Sequence, residues 1–210
     1  LDPEYYTSFE LGVKNRSDTW SSQVALFHTL IRDQILRFPT GNPNSSDGVE
    51  VTKDNVGNGS VEGVEAGAAY RITERWTAFG NATYLRGKHS TYPTSAAVLE
   101  DEYLDRLMPF SAQVGLRWED PSNGFWVEGL VTHADRADRL STRDVNDTSR
   151  IPAGGTPGYT TLDLRLGWHA QQNATLHVGL ENITDEDYRI HGSGLNRPGR
   201  NLTVGLGWSF

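Results

Sequence analysis

The chain has 210 residues, a net charge of -8, no cysteine and no run of basic residues, which excludes a disulfide framework and a Cys-based metal site and argues against nucleic acid, whose phosphates need clustered Lys and Arg. Mean hydropathy is -0.54, and no apolar stretch of about 18 residues occurs; transmembrane helices are excluded, but a transmembrane barrel, whose strands are only half apolar, is not. Residues 1–4 carry neither a basic nor an apolar leader, so the expectation is a protein that is not exported or a sequence that begins partway along a longer chain.

Tyr5, Thr7, Phe9, Leu11 and Val13 alternate with Tyr6, Ser8, Glu10, Gly12 and Lys14. Successive strand side chains point to opposite faces, so this is a strand with one apolar and one polar face. The run Asn15-Arg16-Ser17-Asp18-Thr19 then turns the chain. Residues 20–37 form a longer strand candidate, with Val24, Leu26 and Leu30 on one parity and Ala25, Phe27 and Ile31 on the other. Its facing stays open, since a bulge near His28 could reset the parity. Residues 38–59 read as a long polar connection carrying Pro39, Gly41, Asn42, Pro43, Ser45, Ser46, Asp47 and Gly48. Residues 61–72 resume the strand pattern, Thr73-Glu74-Arg75 returns it, and residues 76–86 make the next strand. Residues 87–107 are a second polar link, containing Glu100, Asp101, Glu102 and Asp105.

Beyond Pro109, Phe110, Ala112, Val114, Leu116 and Trp118 face one way and Ser111, Gln113, Gly115, Arg117 and Glu119 the other. Asp120 to Gly124 is a turn cluster. Residues 125–133 form a strand, and residues 134–158 a long charged link. Leu162, Leu164, Leu166 and Trp168 then oppose Asp163, Arg165, Gly167 and His169; after Gln171-Gln172-Asn173, Leu176, Val178 and Leu180 oppose His177, Gly179 and Glu181. A last long link covers residues 183–200. The final strand has the strictest alternation, Leu202, Val204, Leu206, Trp208 and Phe210 against Thr203, Gly205, Gly207 and Ser209, over the roughly ten residues a tilted strand needs to cross a bilayer.

Connections alternate between short and long along the whole chain. A soluble Greek-key sandwich gives loop length no reason to follow that rhythm, whereas an outer-membrane barrel imposes it through short periplasmic turns and long extracellular loops. The expected fold is all-β, an antiparallel up-and-down transmembrane β-barrel. Nine strands are counted; bacterial single-chain barrels are even, so these read as the last nine of a larger barrel. Arg117, Glu128, Asp163, Arg165 and Glu181 then face the lumen. Such a segment is not expected to fold alone, because two unpaired edges would lie in lipid.

Several stretches, in order, resemble the C-terminal part of a TonB-dependent outer-membrane receptor. Leu1-Asp2-Pro3-Glu4 before Ser8-Phe9-Glu10-Leu11-Gly12-Val13-Lys14 is similar to that family's entry to a barrel strand, and Asn58-Gly59 before Val61-Glu62-Gly63-Val64-Glu65 to another. Thr156-Pro157-Gly158-Tyr159 with Leu162-Asp163-Leu164 resembles a further strand start. The most specific match runs through Leu180-Glu181-Asn182-Ile183-Thr184-Asp185, Asp187-Tyr188-Arg189, His191-Gly192-Ser193-Gly194 and Pro198-Gly199-Arg200-Asn201 into the terminal strand. The resemblance implies a 22-stranded barrel, of which residues 1–210 are the C-terminal portion, with the plug domain and TonB box absent. It also implies import of a scarce ligand, most favourably a ferric siderophore, across the Gram-negative outer membrane. The implied partners are outer-membrane lipid, TonB acting through the absent N-terminal region, barrel-assembly machinery and a siderophore-like ligand. Gly205, Trp208 and Phe210 resemble the assembly signal, although Val204 occupies a place that is usually polar.

Candidate ligand contacts are the aromatic and cationic residues of the long links: Tyr92, Tyr103, Arg136, Arg139, Arg143 and Arg150. Loops carry recognition, and guanidinium suits anionic chelates. No catalysis is expected. His191-Gly192-Ser193-Gly194 has no G-x-S-x-G elbow, base or orienting acid and reads as a chain reversal. The six histidines show no metal-ligand spacing, and neither cofactor nor metal site is expected. Asp135, Asp138, Asp144, Asp147 and the cluster from Glu100 to Asp105 offer calcium ligands without EF-hand spacing, so solvated acidic loops are the preferred reading. Two other readings stay open: a smaller outer-membrane barrel with a structural or adhesin role, and a soluble β-sandwich binding module.

Overall fold

The computed structural model describes residues 1–43, 48–171 and 173–208. Its strands are β1 (Tyr5–Arg16), β2 (Trp20–Pro43), β3 (Val49–Arg71), β4 (Trp76–Thr91), β5 (Glu100–Tyr103), β6 (Ser111–Asp120), β7 (Phe125–Ala134), β8 (Tyr159–Gln171), β9 (Ala174–Glu181) and β10 (Asn201–Trp208), with a short helix α1 (Thr142–Asn146) between β7 and β8. All belong to one sheet in the order β1-β2-β3-β4-β6-β7-β8-β9-β10, while β5 pairs only with β4. This is the expected nine-strand antiparallel meander. It leaves β1 and β10 as open edges rather than closing on itself.

Register carries the side-chain parity from strand to strand. Leu11 lies opposite Leu26, Leu26 opposite Val64, and Val64 opposite Tyr84. Val114 faces Val131, which faces Leu162, and Leu164 faces Leu180, which faces Leu202. One face is therefore apolar along its length. A soluble sandwich would bury it against a second sheet, yet Leu164 is 40% exposed and Val204 67%. The short turns mark one end, closed by side chains that bond to nearby backbone: Thr73 Oγ1 accepts from the Arg75 and Trp76 amides, and Asn123 Oδ1 from Phe125. Beside these turns Trp20 meets Tyr70 and Trp118 meets Phe125, with ring centroids 5.9 and 6.1 Å apart. Trp76 opposite Trp118, Phe125 opposite Trp168, and Trp208 on β10 extend the row, as in the aromatic belt at a membrane interface.

The opposite, inner face is built differently. Gly63, Gly115 and Gly167 lie directly across from Phe27, Phe79 and Trp126. In each pair the ring occupies the space a Cβ on the glycine would need, so large aromatics lie along the wall instead of standing into the lumen. The ambiguous parity of residues 20–37 is settled by this arrangement: Val24 and Leu26 point outward and Phe27 inward.

Three expectations are corrected. Register between β2 and β3 is unbroken from Trp20 to Ile31 and shifts between Ile31 and Ile35, where Asp33 has φ of 56°; the bulge is there and not near His28. Much of residues 38–59 is strand rather than loop, because β2 and β3 continue as a paired hairpin with Phe38 opposite Thr52 and Pro39 opposite Val51. At 24 and 23 residues these strands are roughly twice the length needed to span a bilayer. Ser45, Ser46 and Asp47 lie outside the described residues. Residues 87–107 likewise contain the end of β4 and all of β5, with Lys88 opposite Tyr103.

Candidate functional site

A roofed cleft lies where three long connections, residues 92–110, 135–158 and 182–200, meet above the β4–β10 end of the sheet. The 182–200 loop is anchored by Asn182, 3% exposed. Its side chain donates to the Glu186 and Pro198 carbonyls and accepts from the Glu186 amide, and its own amide donates to Asp163 Oδ1 at 2.8 Å. These bonds turn the loop over the inner face, where Tyr188 stacks on Tyr159 of β8 with centroids 4.3 Å apart. Between loop and wall lies a cleft of about 500 Å³. Thr132, Thr161, Asp163 and Arg165 form its floor, Glu181 and Asn201 its side, and Tyr188 and Arg197 its roof. A hollow of similar volume beside Lys14, Gln23 and Asn81 lies close to the open β1 edge and has no loop over it.

Electrostatics divide the cleft into committed and uncommitted groups. Across the floor and its neighbours runs a cross-strand charge ladder. Glu128 lies 3.6 Å from Arg117 and 3.8 Å from Arg165, and Arg165 lies 3.5 Å from Asp163, with the Arg117 guanidinium 4.1 Å from the Trp126 ring centre. These residues occupy the inner face expected for them. Tyr188 is buried enough that its hydroxyl is pushed up from its ordinary value, with Arg197 opposing and Asp163 and Glu181 adding to the shift; it stays protonated and can donate. The 182–200 loop also brings Arg197 into the cleft. Arg106, Arg143 and Arg150 hold ion pairs in the loops; among the described residues Arg197 holds none. The cleft can therefore bind through hydrogen bonds, a stacked aromatic pair and one uncommitted cation.

The residues expected as ligand contacts sit elsewhere, each on its own partner. Tyr92 stacks on Phe38 at 5.5 Å, and Tyr103 lies under the Lys88 ammonium at 5.3 Å. Arg136 donates to the Gly154 carbonyl at 2.6 Å. Arg139 lies over Tyr84, 5.2 Å from the ring centre. Arg143 pairs with Asp105 and Arg150 with Asp147, both at 3.0 Å. The cleft-lining Tyr159, Tyr188 and Arg197 are not among the expected contacts, because Tyr159 and Tyr188 are 29 positions apart and only the fold of the loop joins them.

The acidic loop residues serve as internal ties. Ser141 caps α1 by accepting from the Asp144 amide and donates to Asp105 Oδ1 at 2.7 Å. Glu102 accepts from the amide and hydroxyl of Thr142. Asp144, 2% exposed, accepts the Arg106 amide at 2.9 Å. Asp147 takes Arg106 and Arg150 together and, with the Ser149 hydroxyl as the largest cause, is held below the usual carboxylate range. Among the described residues no group of three or more His, Asp or Glu forms a metal cage. Gly205 and Trp208, expected as part of an assembly signal, lie on β10 with the outer-face residues Val204 and Leu206 beside them; Phe210 lies outside the described residues.

Comparison with known proteins agrees with this architecture. Residues 1–183 match the family described as TonB dependent receptor-like, beta-barrel. The pesticin receptor of Yersinia enterocolitica is 26% identical over 192 residues, covering 88% of this chain and 25% of the receptor. Hemoglobin-binding protein A of Haemophilus influenzae is 24% identical over 255 residues, covering 100% and 24%. Among solved structures, the copper transporter OprC has a TM-score of 0.76 at 21% identity, covering 100% of this chain and 32% of its own. The FrpB iron transporter of Neisseria meningitidis has 0.76 at 16%, covering 99% and 31%. The chain thus spans about a quarter of the length of the curated relatives it matches. It belongs to the TonB-dependent receptor β-barrel family, whose barrels lie in the outer membrane of Gram-negative bacteria.

Proposed function

We propose that this chain is the C-terminal portion of a larger receptor barrel that actively imports a scarce ligand, with a ferric siderophore the favoured class, and that residues 1–210 supply wall, loops and part of the ligand vestibule. On this reading the plug and the region that contacts TonB belong to the receptor outside these residues, and the terminal strand is presented to the assembly machinery. The observation that carries the proposal is the division of the sheet into a lipid-type face and a charged inner face, with a roofed cleft beneath the loops at one end. Support for the ligand class comes from the named functions of similar proteins, which include iron, copper and ferric-catecholate transport. Within the cleft, Arg197, Tyr188 and Tyr159 are the proposed inner contacts. Arg143 and Arg150, with side chains 77% and 52% exposed, are proposed rim contacts together with Tyr92, Tyr103, Arg136 and Arg139.

The test uses the full-length receptor in a strain lacking it, grown on single iron or copper sources. Growth restored on one ferric chelate, with uptake reduced about tenfold or more by Arg197→Ala at normal surface abundance, supports the proposal. Growth independent of the receptor on every metal source, together with receptor-dependent attachment to surfaces, would replace it with a structural or adhesive role.

A further inference from the structure

The motif His191-Gly192-Ser193-Gly194 sits at the junction of the three long connections and explains how they hold together. Gly192 and Gly194 both have left-handed backbones, with φ of 74° and 76°. A Cβ on Gly192 would meet Arg106 Cδ at 3.1 Å, and one on Gly194 would meet Arg150 Cγ at 3.2 Å, so the 182–200 loop lies directly against the other two. Arg106 in turn ties its loop to α1 through its amide on Asp144 and its guanidinium on Asp147. At the centre is His191, only 7% exposed, whose Nδ1 lies 2.9 Å from Thr156 Oγ1. Thr156 is fixed by reciprocal backbone bonds with Ala137. Among the described residues, His191 Nε2 is buried without a partner.

We propose that His191 is an acid-sensitive latch whose neutral ring locks the 92–110, 135–158 and 182–200 loops into one cap over the inner-face cleft. The imidazolium carries a proton on both nitrogens; Nδ1–H can donate to Thr156 Oγ1, but among the described residues Nε2–H meets no acceptor in its enclosure. The charged groups acting on the ring are Asp144 and Arg106, one from each of the other two loops, while Asp135 and Arg189 line the small cavity beside it but are bonded to His133 and Asn196. Burial lowers the His191 pKa below its ordinary value; Asp144 opposes the shift and Arg106 adds to it. The sign follows by linkage. An open cap exposes a histidine that titrates at about 6.5, whereas the closed cap keeps it neutral to lower pH, so closure is fully favoured above about pH 6.5 and weakens as pH falls below it.

Hydrogen exchange of the full-length receptor in detergent, corrected for intrinsic exchange at each pH, tests the latch independently of any ligand. Between pH 7.5 and 5.5, protection in segments 100–110, 140–157 and 188–195 is expected to fall together, by up to about tenfold, the limit for a group with an open-state pKa of about 6.5; the midsections of β6 to β8 stay unchanged. His191→Gln makes the cap insensitive to pH, whether it then rests closed or open. A combined His28→Gln, His89→Gln and His133→Gln variant keeps the response. A flat wild-type profile, a response in one loop only, a wild-type response surviving His191→Gln, or its loss in the combined variant would each overturn the proposal.

Discussion

Leu164 in β8 and Ile151 in the loop just before it are both aliphatic, yet one is 40% exposed and the other 1%. The difference separates two regions built on opposite rules. In the spanning sheet, backbone hydrogen bonds are satisfied between strands and apolar side chains point away from the protein, because lipid is the solvent they meet. The loop cap lies in water and must make its own interior. Leu107, Ala137, Ser141, Asp144, Ile151, Thr156 and His191 are all buried there, whereas the outer parity of the strands contributes almost nothing to the buried residues. A barrel of this kind thus carries a small water-type core on top of an inside-out wall.

The contrast can be broken from either side. The largest effect is expected at Ile151→Ala, which removes the most enclosed aliphatic group of the cap and lowers its local stability by about 2–5 kcal/mol. Hydrogen exchange should show this in residues 135–158 and not in β6 to β8. Next, Val204→Arg on the outer parity should destabilise folding into vesicles by about 2–4 kcal/mol, while Thr203→Arg, one position away and facing inward, should cost clearly less. If both cost the same, the faces are misassigned. On the inner wall, Gly115→Val forces the Phe79 ring off its seat and should cost about 1–3 kcal/mol by overpacking; denaturant titration of the full-length receptor reads it. The smallest effect is Ser141→Ala, about 1 kcal/mol for a lost helix cap, visible as faster exchange in α1 and around Asp105, which loses its bond from the same hydroxyl.

These two regions also differ in how far the sequence reveals them. The nine strands were legible because lipid on one side and water on the other enforce a period of two, and Leu162, Leu164, Leu166 and Trp168 display it without interruption. The upper halves of β2 and β3 were not. Above the membrane both faces meet water, so Thr52, Lys53, Asp54 and Asn55 pair in a ladder that composition alone reads as loop. Helix α1 escaped because five residues are too few to show a helical period. The cleft escaped for a topological reason, since Tyr188 reaches Tyr159 only after Asn182 has turned the intervening loop inward. Arginine in a loop is an ambiguous signal: Arg136 and Arg150 bond within their own loop and Arg143 to Asp105 of a neighbouring one, while among the described residues Arg197 holds no ion pair.

The chain contributes no cysteine of its own, so single cysteines at positions 161 to 167 of β8, placed in the full-length receptor in native outer membranes, can be probed without background from this segment. Labelling by a lipid-soluble maleimide against a charged, water-soluble one measures which face each side chain occupies. The account predicts strict alternation, with 162, 164 and 166 reached from lipid and 161, 163 and 165 from water. Uniform labelling along the strand, or lipid access at 163 and 165, would contradict it.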